Sequence, residues 1–242
     1  MSEPLLSVRG VEKSFGALKA LGPVDVTLTQ GERLGLIGPN GSGKTTLINC
    51  IAGLLRPEVG TIIYGGVDIT AEPAHKRARM GIARSFQIPR PFTGMSVLEN
   101  LLVPLDYVAR GSRDEIKRAD EVLASVRLNP SRDAPVEALS QLELRKLELA
   151  RALVTGPRLL IADEAMAGLS EGEIDEILSL LFDLNRSGVA IIMIEHIMHA
   201  VMRFSERMIC LETGLIIAEG SPRDIVENPE VQKVYFGEQA RH

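Results

Sequence analysis

Strand–helix alternation with wholly apolar strands predicts an α/β fold built on a parallel sheet. Three features of the chain carry that expectation. Beyond residue 158, the short runs Leu159–Ala162 and Val189–Ile194 contain no polar side chain and are separated by a helical pattern, as strands covered on both faces require. Across the first ~70 residues strand candidates crowd together around glycine turns, which predicts an antiparallel β portion. Between about 90 and 150 a helical period dominates, which predicts a helical insert.

Each element follows from its local pattern. Leu5–Val8 and Val24–Leu28 read as strands, and Arg33–Ile37 is a strand that runs directly into a glycine-rich turn and a helix over Thr45–Leu54. Thr61–Tyr64 and Val67–Ile69 flank Gly65-Gly66, a pair with the backbone freedom of a tight hairpin turn. Asp114–Leu128 sets Ile116, Ala119, Val122, Leu123 and Val126 on one helical face. Ser140 stands as an N-cap before a helix carrying Leu144, Leu147, Ala150, Arg151 and Leu153. Ile174–Leu184 and Met198–Phe204 read as helices, with Met208–Leu211 and Leu215–Ala218 as a hairpin across Glu212-Thr213-Gly214. Ser221-Pro222 fits the cap and first position of a last helix. The chain shows no tandem repeat and no low-complexity linker.

Composition narrows the class without naming an activity. The 242 residues carry 27 basic and 32 acidic side chains, a net charge of −5, which speaks against non-specific nucleic-acid binding. No apolar run approaches the ~18 residues of a membrane span. Met1-Ser2-Glu3-Pro4 lacks a basic n-region and an apolar h-region, so no signal peptide is expected. Cys50 and Cys210 read as reduced core thiols. The expectation is a soluble cytosolic protein.

Chemistry enters at Gly38-Pro39-Asn40-Gly41-Ser42-Gly43-Lys44-Thr45, which fits G-x-x-x-x-G-K-[ST] between a strand and a helix. The glycines let successive backbone N–H groups turn inward around phosphates, and the helix N-terminus adds a positive dipole. Lys44 is expected to reach the β- and γ-phosphates and the Thr45 hydroxyl to ligate Mg²⁺. Downstream, the apolar strand Leu159–Ala162 ends in Asp163-Glu164, on the crevice side of a parallel sheet. Asp163 is expected on the metal, and Glu164 as the base that orients or deprotonates the attacking water. His196 follows the next apolar strand and reads either as a γ-phosphate sensor or as an exposed loop histidine. His199 completes a His-x-x-His spacing, but with no third ligand nearby the pair is not read as a metal site. Gln87 takes meaning only from its setting.

Together these residues resemble the ATP-binding-cassette family, the ATPase subunits of membrane transporters, over nearly the whole chain. Phe15 in Val11–Gly16 matches the aromatic that stacks on adenine, Gly38 through Thr46 the Walker A segment, and Leu159–Glu164 Walker B. Gln87 matches the Q-loop glutamine, which bears on the γ-phosphate and the metal, and His196 matches the switch histidine. Leu139–Leu153 aligns with the signature segment. Ala83-Arg84-Ser85-Phe86-Gln87, the run Phe92–Asn100 and the tail Val234-Tyr235-Phe236-Gly237 are similar to the branched-chain amino-acid subgroup; urea, amide and lipopolysaccharide systems share much of this.

The resemblance implies one ATPase domain over 1–242 with a P-loop NTPase core, an antiparallel β subdomain, a helical signature subdomain over about 90–155 and a helical tail over about 220–242. It implies ATP and Mg²⁺ as ligands and a nucleotide-sandwich dimer in which Ser140 acts in trans on a second ATPase subunit. It further implies membrane permease subunits, a groove for them in the segment up to about Asn100, an extracytoplasmic solute-binding protein, and a peripheral place on the cytoplasmic face of the membrane. Phe86, Phe92, Met95 and Leu98 fit either that partner-facing surface or the local core of the helical insert. The signature departs from the family's Leu-Ser-Gly-Gly-Gln, reading Leu139-Ser140-Gln141-Leu142-Glu143, with a bulky side chain and a negative charge where phosphate would approach. Ala165 replaces the usual Pro, and Ser170 the D-loop Asp. The composite site completed by this signature is therefore expected to be slow or non-hydrolytic, while the site built on Lys44, Asp163 and Glu164 remains equipped, and an ATP-binding regulatory module is the alternative reading.

Overall fold

The computed structural model describes residues 3–85, 90–109 and 114–236. Among them, ten strands form two sheets. β1 (Leu6–Phe15) and β2 (Leu18–Leu28) pair with β4 (Val59–Tyr64) and β5 (Val67–Asp68) in an antiparallel sheet ordered β2-β1-β4-β5. The larger sheet runs β10-β9-β3-β8-β7-β6, made of β3 (Arg33–Ile37), β6 (Ile82–Ser85), β7 (Leu159–Asp163), β8 (Ala190–Ile194), β9 (Arg207–Glu212) and β10 (Leu215–Gly220). All its neighbours pair in parallel except β10 on β9.

The apolar strands are buried on both faces because their side chains alternate between two cores. Leu159 and Ile161 of β7, with Ile192 and Ile194 of β8, face a core shared with the antiparallel sheet and with α1 (Lys44–Ala52). Leu160, Ala162, Ile191 and Met193 face the other core, under α5 (Gln141–Leu153), α6 (Glu171–Arg186) and α7 (Met198–Phe204). The second core extends into α3 (Val97–Ala109) and α4 (Glu115–Ser125), so the helical insert is continuous with the sheet rather than a separate body. α8 (Pro222–Glu227) and α9 (Pro229–Phe236) close it from the C-terminal end.

The predicted α/β architecture is present, with instructive differences in detail. β1 and β2 run longer than the apolar runs suggest, because their outer halves carry polar residues and a bulge at Gly10, whose φ is +54. α1 stops at Ala52, where Gly53 takes a left-handed cap conformation. β6 is hidden in the sequence by Arg84, and α2 (Ala74–Arg79) by its polar side chains. Both hairpin turns behave as their residues imply: Gly65-Gly66 and Thr213-Gly214 have positive φ at both positions.

α2 has one side chain that matters for the site above it. The guanidinium of Arg77 is fully buried and donates to the carbonyls of Cys50 at 2.6 Å and Ile51 at 2.8 Å, in the last turn of α1. It also donates to the carbonyls of Glu72 at 2.8 Å and Thr70 at 3.2 Å. A cation on C-terminal carbonyls supplies donors to groups the helix leaves wholly or partly unsatisfied and complements its dipole. Arg77→Met strips the Ile51, Glu72 and Thr70 carbonyls of the guanidinium donor, while Cys50 keeps the Gly53 N–H at 3.3 Å, and is expected to destabilise the chain by about 3 kcal/mol, read as a lowered urea midpoint. Arg77→Lys should recover only part of the loss, because one ammonium cannot reproduce the fork.

Candidate nucleotide site

The loop 38–43 wraps the N-terminus of α1, and its glycines are required sterically. Gly38 has φ +148 and Gly43 φ +103. A Cβ on Gly43 would lie 2.7 Å from the Ala20 carbonyl oxygen of β2, and one on Gly38 would collide with the Leu211 carbonyl oxygen of β9. The Gly214 N–H donates to the Ser42 carbonyl at 2.9 Å, tying the loop to the β9–β10 turn. The Ser42 hydroxyl is buried with no hydrogen-bond partner among the described residues. Lys44, also buried, donates to the carbonyls of Gly38 at 2.7 Å and Pro39 at 2.9 Å. Burial pushes its ammonium below the usual lysine range, and Glu164, Cys210 and Asp163 oppose that shift. A buried cation resting on loop carbonyls, an unpartnered hydroxyl and a helix N-terminus make a cradle that fits phosphate. Pro39, Asn40 and Gly41 form its rim, and Thr45 and Thr46 begin the helix beneath it.

Sheet register delivers the acidic side. Leu36 of β3 and Asp163 of β7 both pair with Ile194 of β8, so three strands end level at one edge. Asp163 is buried and bonded to Arg84 at 2.6 Å. Glu164 is half-buried and has φ +48, a left-handed conformation that a non-glycine residue holds at a cost of about 1 kcal/mol. That turn aims its carboxylate at His196, with Oε1 3.2 Å from Nε2. The Asp163 carboxylate and the Thr45 hydroxyl are hard oxygen donors of the kind Mg²⁺ takes.

Other predicted residues are distributed around this edge. Phe15 closes β1 with its ring exposed and the Lys13 ammonium 5.6 Å from its centroid. Gln87, assigned to both catalysis and metal, lies outside the described residues, as does Phe86. Ser140 is exposed at the start of α5, where its hydroxyl donates to Glu143 Oε2 at 2.9 Å and its oxygen accepts from the Glu143 N–H. Glu143 also accepts from Ser131 at 2.7 Å. The acidic residue of the signature is thus turned back into its own helix cap rather than outward, because a capping box satisfies donors that would otherwise be orphaned. Leu142 packs against the helical core. Ser170 caps α6, donating to Glu173 at 2.7 Å.

Sequence reasoning passed over three buried charges near the site. Glu195, beside His196, accepts from the Met166 N–H at 2.9 Å. Arg145 of α5 donates to the Ala167 carbonyl at 2.9 Å, so the turn after Glu164 is held from two sides. Arg84 bonds Asp163. For Arg84 and Glu195 the available signal was a charge inside or at the end of a strand run, where only a paired group is stable, whereas Arg145 lies mid-helix and gave no such signal.

Comparison with known proteins agrees with this geometry. The family profile described as "ABC transporter" matches residues 21–167, and one described as "Branched-chain amino acid ATP-binding cassette transporter" matches residues 216–241. The chain is 36% identical to a probable branched-chain amino acid transport ATP-binding protein, LivG, of Archaeoglobus fulgidus, covering 97% of this chain and 96% of that protein. It is 37% identical to the lipopolysaccharide export system ATP-binding protein LptB of Acidithiobacillus ferridurans, covering 99% of each. The LivG protein of Escherichia coli K12 is 37% identical, covering 98% of this chain and all of that protein. Among solved structures, the ADP conformation of the ATP-binding cassette MJ1267 superposes with a TM-score of 0.90 at 31% identity, covering 98% of this chain and 100% of that one.

Burial pushes the Glu195 carboxyl up to about 7, against the Met166 hydrogen bond that favours its charged form. Below about pH 4.5 the group is protonated whether the chain is folded or not. Above that the unfolded chain releases a proton that the folded chain keeps, so stability falls as pH rises towards 7 and levels off once the folded chain releases it too. Glu195→Gln, which retains the acceptor, should flatten the stability profile between pH 5 and 8 by about 2–3 kcal/mol, measured by urea unfolding at each pH.

Proposed function

The chain belongs to the ABC transporter family of ATPases, and from that premise we propose that it hydrolyses Mg²⁺-ATP to energise uptake of branched-chain amino acids. The observation that carries the catalytic reading is the convergence of Lys44, Asp163, Glu164 and His196 at one edge of the parallel sheet. Lys44 and the loop N–H groups bind the β- and γ-phosphates, with Thr45 and Thr46 at the helix start, and Phe15 offers an exposed ring to the adenine. Thr45, Asp163 and Gln87 would hold Mg²⁺, which would neutralise phosphate oxygens when bound. Glu164, placed by its left-handed turn, orients and deprotonates the attacking water, and His196 holds the Glu164 carboxylate and reports on the γ-phosphate.

No helix among the described residues is long and apolar enough to cross a membrane. On this reading the ATPase acts on membrane permease subunits from the cytoplasmic face. Their docking groove lies on the helical insert, where Phe92, Met95, Val103 and Tyr107 are exposed. Arg90 and Phe92 are pinned there, their N–H groups bonded to Glu148 at 2.9 Å and to Asn100 at 2.7 Å. Leu98, one candidate for that groove, packs against the helical core, because it lies on the buried side of α3. A second ATPase subunit supplies the opposing signature, as Ser140 here supplies the one in trans. Homology between this chain and a dimeric ATP-binding cassette, MJ0796 bound to ADP and Pi, supports that arrangement (TM-score 0.80, 27% identity).

The match over residues 216–241 and the LivG relatives favour amino-acid import, with an extracytoplasmic solute-binding protein in the complete system. An LptB relative of equal identity supports lipopolysaccharide export as the second reading. The test is ATP turnover by this chain reconstituted with its permease subunits in proteoliposomes. Leucine-loaded binding protein should raise turnover several-fold, and Glu164→Gln should lower it by about 10²–10⁴ while nucleotide still binds. Stimulation by lipopolysaccharide instead would transfer the chain to the export class. In the same assay Leu142→Gly with Glu143→Gln should raise turnover, since it removes a negative charge beside Ser140 and a bulky side chain that hinders close backbone approach; an unchanged rate would show that the variant signature is not limiting.

A further inference from the structure

We propose that Arg84 is a positioning residue that builds the metal site, joining its two protein edges and standing in for the cation's charge. The inference rests on the assignment of Asp163 and Thr45 as metal ligands. Arg84 lies on β6, at the outer edge of the parallel sheet, with its guanidinium largely buried. One nitrogen, Nη2, donates to Asp163 Oδ2 at 2.6 Å, and the other, Nη1, donates to Asn49 Oδ1 at 2.6 Å. Asn49 sits four residues after Thr45 in α1, on the same helical face one turn deeper. The planar fork of one side chain therefore spans from the carboxylate at the end of β7 to the helix that carries the hydroxyl ligand. It sets the separation of two ligands it does not itself resemble, and no lysine could hold both acceptors in one plane.

The charge has a second consequence. Phosphate bound at the loop would face Asp163 and Glu164, two carboxylates whose repulsion must be balanced. With a divalent cation present, the cation balances it. Without one, the balancing charge fixed to the Asp163 carboxylate is Arg84. Removing it should therefore penalise metal-free nucleotide more than metal-bound nucleotide. By linkage the nucleotide complex must then bind the metal more tightly, not less.

The experiment measures ATP affinity of the purified chain by fluorescence anisotropy, with Mg²⁺ and with chelator, and Mn²⁺ affinity of the ATP complex by electron paramagnetic resonance. For Arg84→Met the ratio of metal-free to metal-bound ATP dissociation constants should rise about tenfold, the order that one partly screened charge supplies, with a matching gain in Mn²⁺ affinity. Arg84→Lys should restore the ratio by returning the charge. Asn49→Ala, which keeps the ion pair but cuts the bridge to α1, should lower the ratio and weaken Mn²⁺ binding by the same factor, because a displaced Thr45 penalises only the metal-bound complex. Equal losses with and without metal in Arg84→Met, or an unchanged ratio, would overturn the proposal and mark Arg84 as structural only. A wild-type chain whose ATP affinity ignores Mg²⁺ would overturn the metal assignment itself.

Discussion

Register across the parallel sheet is the constraint on which the rest of this molecule depends. Leu36, Ile194 and Asp163 stand side by side in hydrogen-bonded rows, so the segments leaving β3, β8 and β7 must emerge at one edge. The glycine loop leaves β3, the pair Glu195-His196 leaves β8, and Glu164 leaves β7 directly after Asp163. A slip of one residue in β7 would turn Asp163 to the opposite face and bury an apolar neighbour's position with charge. The two cores prevent that slip, because alternate side chains of each strand are committed to different layers.

The edge is then stiffened by charges placed where water cannot reach them. Arg77 closes the C-terminal end of α1 while the glycine loop leaves its N-terminal end open, so the helix dipole is satisfied at one end and available at the other. Arg84 ties the same helix to Asp163. Glu195 and Arg145 hold the turn that follows Glu164. Each is a long polar side chain in a low-dielectric setting, costly to bury and strongly directional once paired. The strained backbone of Glu164 persists because this surrounding network fixes it on every side.

Much of this is legible in the sequence alone. The loop 38–45, the acidic pair, His196 and the helix caps at Ser140 and Ser221 are local features, each determined by a few neighbouring residues and by backbone sterics. Glu143 shows where local reading fails. Its position in the signature suggested a charge pointing at phosphate, while its spacing from Ser140 is also that of a capping box, and the second role is the one its oxygens take. Leu98 was open between a partner-facing surface and the local core, since the register of α3 could not be set without knowing which side met the core.

The sequence by itself determined the chemistry: a glycine loop able to hold phosphate, carboxylates for metal and water, and apolar strands that had to lie inside a parallel sheet. Only the tertiary structure decided how charges far apart in the chain are partnered. Arg84 meets Asp163 across 79 residues and Arg33 meets Asn185 across 152. Such pairings leave no periodic trace, because a buried charge needs one well-aimed partner rather than a repeating pattern, and that partner is chosen by packing.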